Sequence, residues 1–254
     1  MRVAADPITG KRITPKQYLE KYVEPFGYDN ADGYCPAARC PVCRNELQVI
    51  PGSRRGFDVG FRHFPESCPC PMRGHDRQGY QISPERKDHS QNSDELRAVF
   101  FSNWKRHWHQ FKKYVGHVDI TDFIGLLKYA DAKGIWYYRG LKEHEVTVLL
   151  LLIKDFGPVV SKDQQVLRKH WVRFWFVAPV YNVGEFLSKP ESDRVCIKAL
   201  YYLPARVQVL SVKSLDSFEV LRIKSDYINS PLAPSVHGYI ERRMSQAFGK
   251  ELYL

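Results

Sequence analysis

Tyr34-Cys35-Pro36-Ala37-Ala38-Arg39-Cys40-Pro41-Val42-Cys43-Arg44 opens a stretch that runs on to His75 and holds five of the six cysteines, with His63 and His75 among them. Cys40 and Cys43 form Cys-x-x-Cys with a proline between them, the tight knuckle that turns two thiolates toward one ion. His63 and Cys68 follow and complete a set of four. Cysteine and histidine in that combination take zinc tetrahedrally at about 2.0–2.3 Å, and four protein ligands leave no open position for water, so the expected role is structural. Cys35, Cys70 and His75 are alternates for a member of the set, since Cys35 lies five residues before Cys40 and Cys70 makes Cys-Pro-Cys with Cys68. A disulfide-bonded loop fits poorly, because no secretory segment is evident and a reducing compartment keeps thiols free.

Around the knuckle the pattern is that of a hairpin. Glu46 to Ile50 reads as a strand, Pro51-Gly52-Ser53 as a turn and Arg55 to Phe61 as the returning strand, which together make a zinc-ribbon-like module. Arg44, Arg54, Arg55, Arg62 and Arg73 decorate it and are candidate phosphate contacts. The formal net charge of +10 over 254 residues favours a polyanionic partner, with nucleic acid, DNA above all, as the default. A hydrophobic content of 44% is that of a folded protein rather than a disordered one. Met1-Arg-Val-Ala-Ala-Asp-Pro7 lacks the apolar run of a signal peptide, and Val146 to Ile153 is too short to cross a bilayer. No membrane role and a cytoplasmic location are therefore expected.

The run Cys40-Pro-Val-Cys43-Arg-Asn-Glu-Leu-Gln-Val-Ile50-Pro-Gly-Ser-Arg-Arg55, with Phe61-Arg62-His63 and Cys68-Pro69 behind it, resembles the N-terminal zinc module of CoiA-like competence proteins. There a Cys-Pro-x-Cys knuckle leads into a hairpin and a His-Phe-Ala-His segment. On that alignment His63 takes the place of the second histidine, and Gly60 stands where the first would be. The resemblance covers the module and extends loosely into the remainder. It implies a PD-(D/E)XK nuclease-like domain in which carboxylates hold Mg or Mn, hard ions that take oxygen ligands and activate water. Lys128-Tyr129-Ala130-Asp131 resembles that family's basic-x-Ala-Asp segment, Glu145 is the second carboxylate and Glu95 a supporting helix carboxylate. Thr147 stands two residues after Glu145, where the family pattern has Lys or Gln.

The rest of the chain reads as α/β or α+β, a mixed sheet flanked by helices. Residues 1–33 carry a short helix that starts at Thr14-Pro15, 34–77 the metal module, 78–92 a polar linker and 93–254 the main domain. Ser93 is expected to cap a long helix whose Leu96, Val99, Phe100, Trp104, Trp108 and Phe111 recur at helical steps. Lys105, Arg106, Lys112 and Lys113 on the same helix are further candidate nucleic-acid contacts, although aromatics at that spacing are ordinarily core. Asp119 to Lys133 reads as a helix ended by Gly134, with Thr121 as its cap. Ile135 to Tyr138, Val146 to Ile153 and Trp171 to Val177 read as strands, the middle one covered on both faces. Leu200 to Leu203 and Arg206 to Val212 are two further strands, and His237 to Glu251 a closing helix. No phosphate-binding loop, nucleophile elbow or His-Glu-x-x-His helix is present. Two functions follow: a nucleic-acid binder with a nuclease-like domain, or a zinc-stabilised adaptor that joins a larger protein assembly.

Overall fold

Thr14 and Pro15 start the first helix as the sequence dictates: the Thr14 hydroxyl accepts from the Gln17 N–H and the Gln17 side chain accepts from the Thr14 N–H, a reciprocal cap. The computed structural model describes residues 1–25, 35–50, 59–67, 70–72, 92–177, 180, 182–202, 210, 214–231 and 234–249. In chain order it contains β1 (Ala4–Ala5), β2 (Arg12–Ile13), α1 (Pro15–Tyr18, continued by a π-helical turn over Leu19–Val23), β3 (Leu47–Ile50) and β4 (Gly60–His63). Then come α2 (Asn92–Ser102), α3 (Trp104–Val115), α4 (Ile120–Lys133), α5 (Glu143–Ile153), β5 (Val159–Val160), β6 (Val166–Arg168) and β7 (Trp171–Phe176). The chain continues with α6 (Val183–Leu187), β8 (Val195–Tyr201), β9 (Leu215–Arg222) and α7 (Gly238–Phe248). The fold is thus mixed α/β, with small sheets whose pairings among the described residues are all antiparallel.

Val146 to Ile153 is the main departure from the pattern reading: it is helix α5, not a strand. A continuous apolar run is compatible with either state, and here the start decides it. Lys142 is extended, and the Glu145 carboxylate accepts the Lys142 N–H at 2.9 Å, which fixes the first turn. Helices α2, α3 and α4 and strand β7 surround α5, and Val146 and Val148 to Leu152 are all buried. Ile135-Trp136-Tyr137 likewise forms a 3-10 turn rather than a strand, because Gly134 ends α4 in the left-handed conformation and turns the chain at once. At the start of α4 the cap is Asp119, whose side chain accepts from the Thr121 N–H at 2.8 Å. The aromatic helix predicted from Ser93 breaks at Asn103 into α2 and α3. The linker expected over 78–92 and the strand expected over Arg206–Val212 lie largely outside the described residues, and Asn92 already belongs to α2.

Two apolar cores sit on opposite faces of the sheet β7–β8–β9. Alternation along β7 sends Val172, Phe174 and Phe176 into the helical core with Phe100, Trp108, Phe111 and the leucines of α5. The alternate residues Trp175, Ile197, Ala199 and Tyr201 face the other way and pack with Ala4, Tyr18, Tyr22, Val42, Leu47 and Phe61. The Cys/His module therefore lies against the back of the sheet.

Candidate metal centre

Strand register carries His63 to the centre. His63 pairs with Leu47, Phe61 pairs with Val49, and these side chains point inward while Gln48 and Arg62 point out. On the other side the Cys40-Pro-Val-Cys43 knuckle is closed by Arg44 N–H donating to Cys40 C=O at 3.0 Å and Cys40 N–H donating to Asn45 C=O at 2.7 Å. Arg44 takes φ 66°, the left-handed turn that brings both thiols to one side. Cys70 arrives beneath, its Sγ accepting the Met72 N–H at 3.3 Å. The ligand atoms of Cys40, Cys43, His63 and Cys70 all lie within 4.8 Å of one another, and all four side chains are buried.

The spacings fit one tetrahedral ion. Metal–sulfur bonds of about 2.3 Å imply a sulfur–sulfur edge of roughly 3.8 Å and a slightly shorter sulfur–nitrogen edge. Cys40 Sγ and Cys70 Sγ are 3.8 Å apart, and Cys43 Sγ and His63 Nε2 are 3.3 Å apart. Hydrogen bonds from Cys43 and then Cys70 drive the Cys40 thiol far below its ordinary value. Burial, together with the neighbouring Cys40, pushes Cys70 up. Three thiols crowded into a buried space cannot all ionise unless a cation offsets their charge. The residues present are suited to holding a metal ion.

No family model, curated protein or solved structure matches this chain. Cys70, an alternate in the sequence reading, completes the cluster, while Cys68, His75, Arg54, Arg55 and Arg73 lie outside the described residues. Cys35 stands apart from the cluster, its thiol 3.4 Å from Tyr22 C=O and 3.5 Å from Tyr18 Oη.

The three carboxylates read as catalytic are placed otherwise. Arg97 holds Asp131 through two hydrogen bonds at 2.8 and 3.0 Å, and Trp136 Nε1 donates to the same carboxylate at 2.7 Å. Glu145 is fully buried as the third residue of α5, where it caps Lys142 and accepts from Arg194 at 2.6 Å. Glu95 is exposed on the first turn of α2. Among the described residues, the Cys/His cluster is the group of three or more such side chains whose ligand atoms converge. On α3, Lys105 pairs with Glu241, Arg106 donates to Asn103 Oδ1 and Ser230 C=O, and Lys112 lies 5.7 Å over the Trp108 ring.

Spacing along two helices also builds a polar network. Asn103 and His107 share a face of α3 and its entry, and Glu143 and Thr147 share a face of α5. Glu143 Oε1 accepts from Asn103 Nδ2 at 2.9 Å and lies 2.8 Å from His107 Nε2. A carboxylate only accepts, so Nε2 carries the proton, and Nδ1 is left as the acceptor for one hydroxyl proton, from Tyr227 or Thr147, which lie 3.0 and 3.1 Å from it. Polar residues four apart on each of two helices were the available signal.

Proposed function

We propose that this chain is a zinc-stabilised nucleic-acid-binding protein, related to the CoiA-like proteins, that acts in the cytoplasm with DNA as its favoured ligand. The observation that carries the reading is the buried group of three thiols and one imidazole at tetrahedral spacing. Softer thiolate ligands with an imidazole select zinc over Mg or Mn, and four protein donors make the site structural rather than catalytic. The net charge of +10 supplies the attraction for a phosphate backbone.

The nuclease-like portion serves this reading as a platform. Asp131 and Glu145 are each held by an arginine and a further donor, which supports a part in the fold rather than in Mg or Mn chemistry. Elemental analysis of the purified chain is expected to return one zinc per molecule, and Cys40→Ser and Cys70→Ser to lose it. Binding of a labelled oligonucleotide is expected to weaken steeply between low and moderate salt. A metal-free parent chain that is fully folded, or an affinity indifferent to salt, would overturn the respective half of the proposal. The adaptor reading draws on one observation: Val160, Val166 and Leu167 of the β5–β6 hairpin are exposed, as a protein interface would use them. It gains if the chain binds no nucleic acid at any salt.

A further inference from the structure

The module's strands form more than the β3–β4 hairpin. Arg12 pairs with Ala5, Ala5 pairs with Arg39, and Arg39 pairs with Glu46 at the head of β3, so a ladder runs from β2 through β1 and the Arg39 segment to β3 and β4. Residues directly opposite one another in such a ladder project from the same side. Arg12, Ala5, Arg39 and Glu46 are one row, and Gln48 and Arg62, two residues further along β3, are the next row on that side. The opposite side carries Ala4, Ile13, Leu47, Phe61 and His63, which are buried.

Arg12, Arg39 and Arg62 are exposed, while Ala5, between the first two, is a buried methyl group. Glu46 is the one acid of these strands and is paired with Arg39 at 3.3 Å, which leaves the outward side with net positive charge. Arg62 donates to Gln48 Oε1 at 3.3 Å, so its guanidinium is oriented across the strands. With strands about 4.8 Å apart, Arg12 and Arg39 stand roughly 10 Å apart, and Arg62 is a similar distance further on. That spread spans several phosphates of a backbone that advances about 3.4 Å per nucleotide.

We infer that this outward arginine row, Arg12, Arg39 and Arg62, is the phosphate-contact surface of the protein, and that its occupant is a nucleic-acid backbone. The inference rests on the nucleic-acid reading above and assigns it a place. Arginine suits it because its planar fork grips two phosphate oxygens at once. On α3, Lys105 and Arg106 are engaged within the fold, and the exposed Lys112 and Lys113 are the alternative that the test below separates from the row.

The test is anisotropy titration of a labelled 20-nucleotide single strand and the matching duplex across a salt series, with the zinc-loaded 254-residue chain. Arg12→Ala/Arg39→Ala/Arg62→Ala is expected to lower the slope of log affinity against log salt by about 2 to 3 on duplex and about 2 on single strand. Its zinc content and circular dichroism should match the parent. The triple lysine variant, which keeps the charge, should keep most of the slope. Lys128→Ala/Lys133→Ala/Lys162→Ala, which removes the same charge elsewhere, should leave the slope near that of the parent. An unchanged slope in the triple alanine variant, or a loss confined to Lys112→Ala/Lys113→Ala, would overturn the assignment while leaving nucleic-acid binding intact. A parent chain that binds neither probe would overturn both.

Discussion

Arg44 sits in the left-handed region at φ 66°, a conformation that costs a side-chain-bearing residue roughly 1–2 kcal/mol and glycine almost nothing. The knuckle requires the turn, because it lets Arg44 N–H reach Cys40 C=O and bring both thiols inward. Arg44→Gly is therefore expected to stabilise the zinc-loaded protein. The gain is trimmed by glycine's freedom in the unfolded chain to about 0.5 kcal/mol, or a rise of about 1–2 °C in melting temperature by calorimetry. A fall would mean that the Arg44 side chain contributes contacts worth more than the strain. His107 gives a pH dependence of definite sign. Burial, opposed by Glu143, lowers its pKa in the fold from the ordinary 6.5. Above about pH 6.5 neither state binds the proton and the buried neutral ring is fully compatible with folding. As pH falls below that value the unfolded chain takes up a proton that the fold resists, so stability is lost. His144, also lowered by burial, acts in the same direction. Denaturant unfolding at pH 7.5 and pH 5 should show a smaller acid loss in His107→Asn than in the parent, whatever the variant's absolute stability. Equal losses would show that His107 does not titrate differently on folding.

Helix α5 shows what an element adds to its residues. Glu145 caps the helix start and pairs with Arg194, which in turn donates to Leu187 C=O and Lys189 C=O, so one buried carboxylate ties α5 to the end of α6. Removing one partner of a buried pair strands the other, and Glu145→Ala is expected to cost about 3–5 kcal/mol, seen as a lowered denaturation midpoint. A catalytic carboxylate held in strain would give the opposite sign, a more stable variant. Elements were legible where their chemistry is local: Thr14-Pro15 at the start of α1, Gly134 after α4, and the β-branched and aromatic run of β7. Helix α5 was not, because Val146 to Ile153 is apolar without a period and its state depends on what surrounds it. The metal set divides in the same way. Cys40-x-x-Cys43 and His63 announce themselves by spacing, whereas the choice between Cys68 and Cys70 turns on how one short segment approaches, which no pattern encodes. The outward arginine row was equally hidden, since Arg12 and Arg39 join Arg62 only through strand pairing.

At the scale of the molecule, the sheet β7–β8–β9 is a wall between two cores of different dependence. The helical side is a large aromatic and aliphatic cluster that needs no ion. The other side holds Trp175, Ile197 and Tyr201 against the Cys/His module, where a bound metal ion would supply part of the free energy that keeps that cover in place. Chelation should then act unevenly. Amide hydrogen exchange after zinc removal is expected to speed up across residues 1–25, 35–50 and 59–67 and, to a lesser degree, in β7 and β8, whose outward side chains lose their cover. Helix α5, enclosed by α2, α3, α4 and β7, should keep its protection almost unchanged. Uniform loss that reaches α5 would mean the two cores fold as one cooperative unit through the shared strands, and that the ion governs the whole chain. Loss confined to the module would mean that the sheet's outer face stands without it, and that zinc shapes only the arginine-bearing ladder.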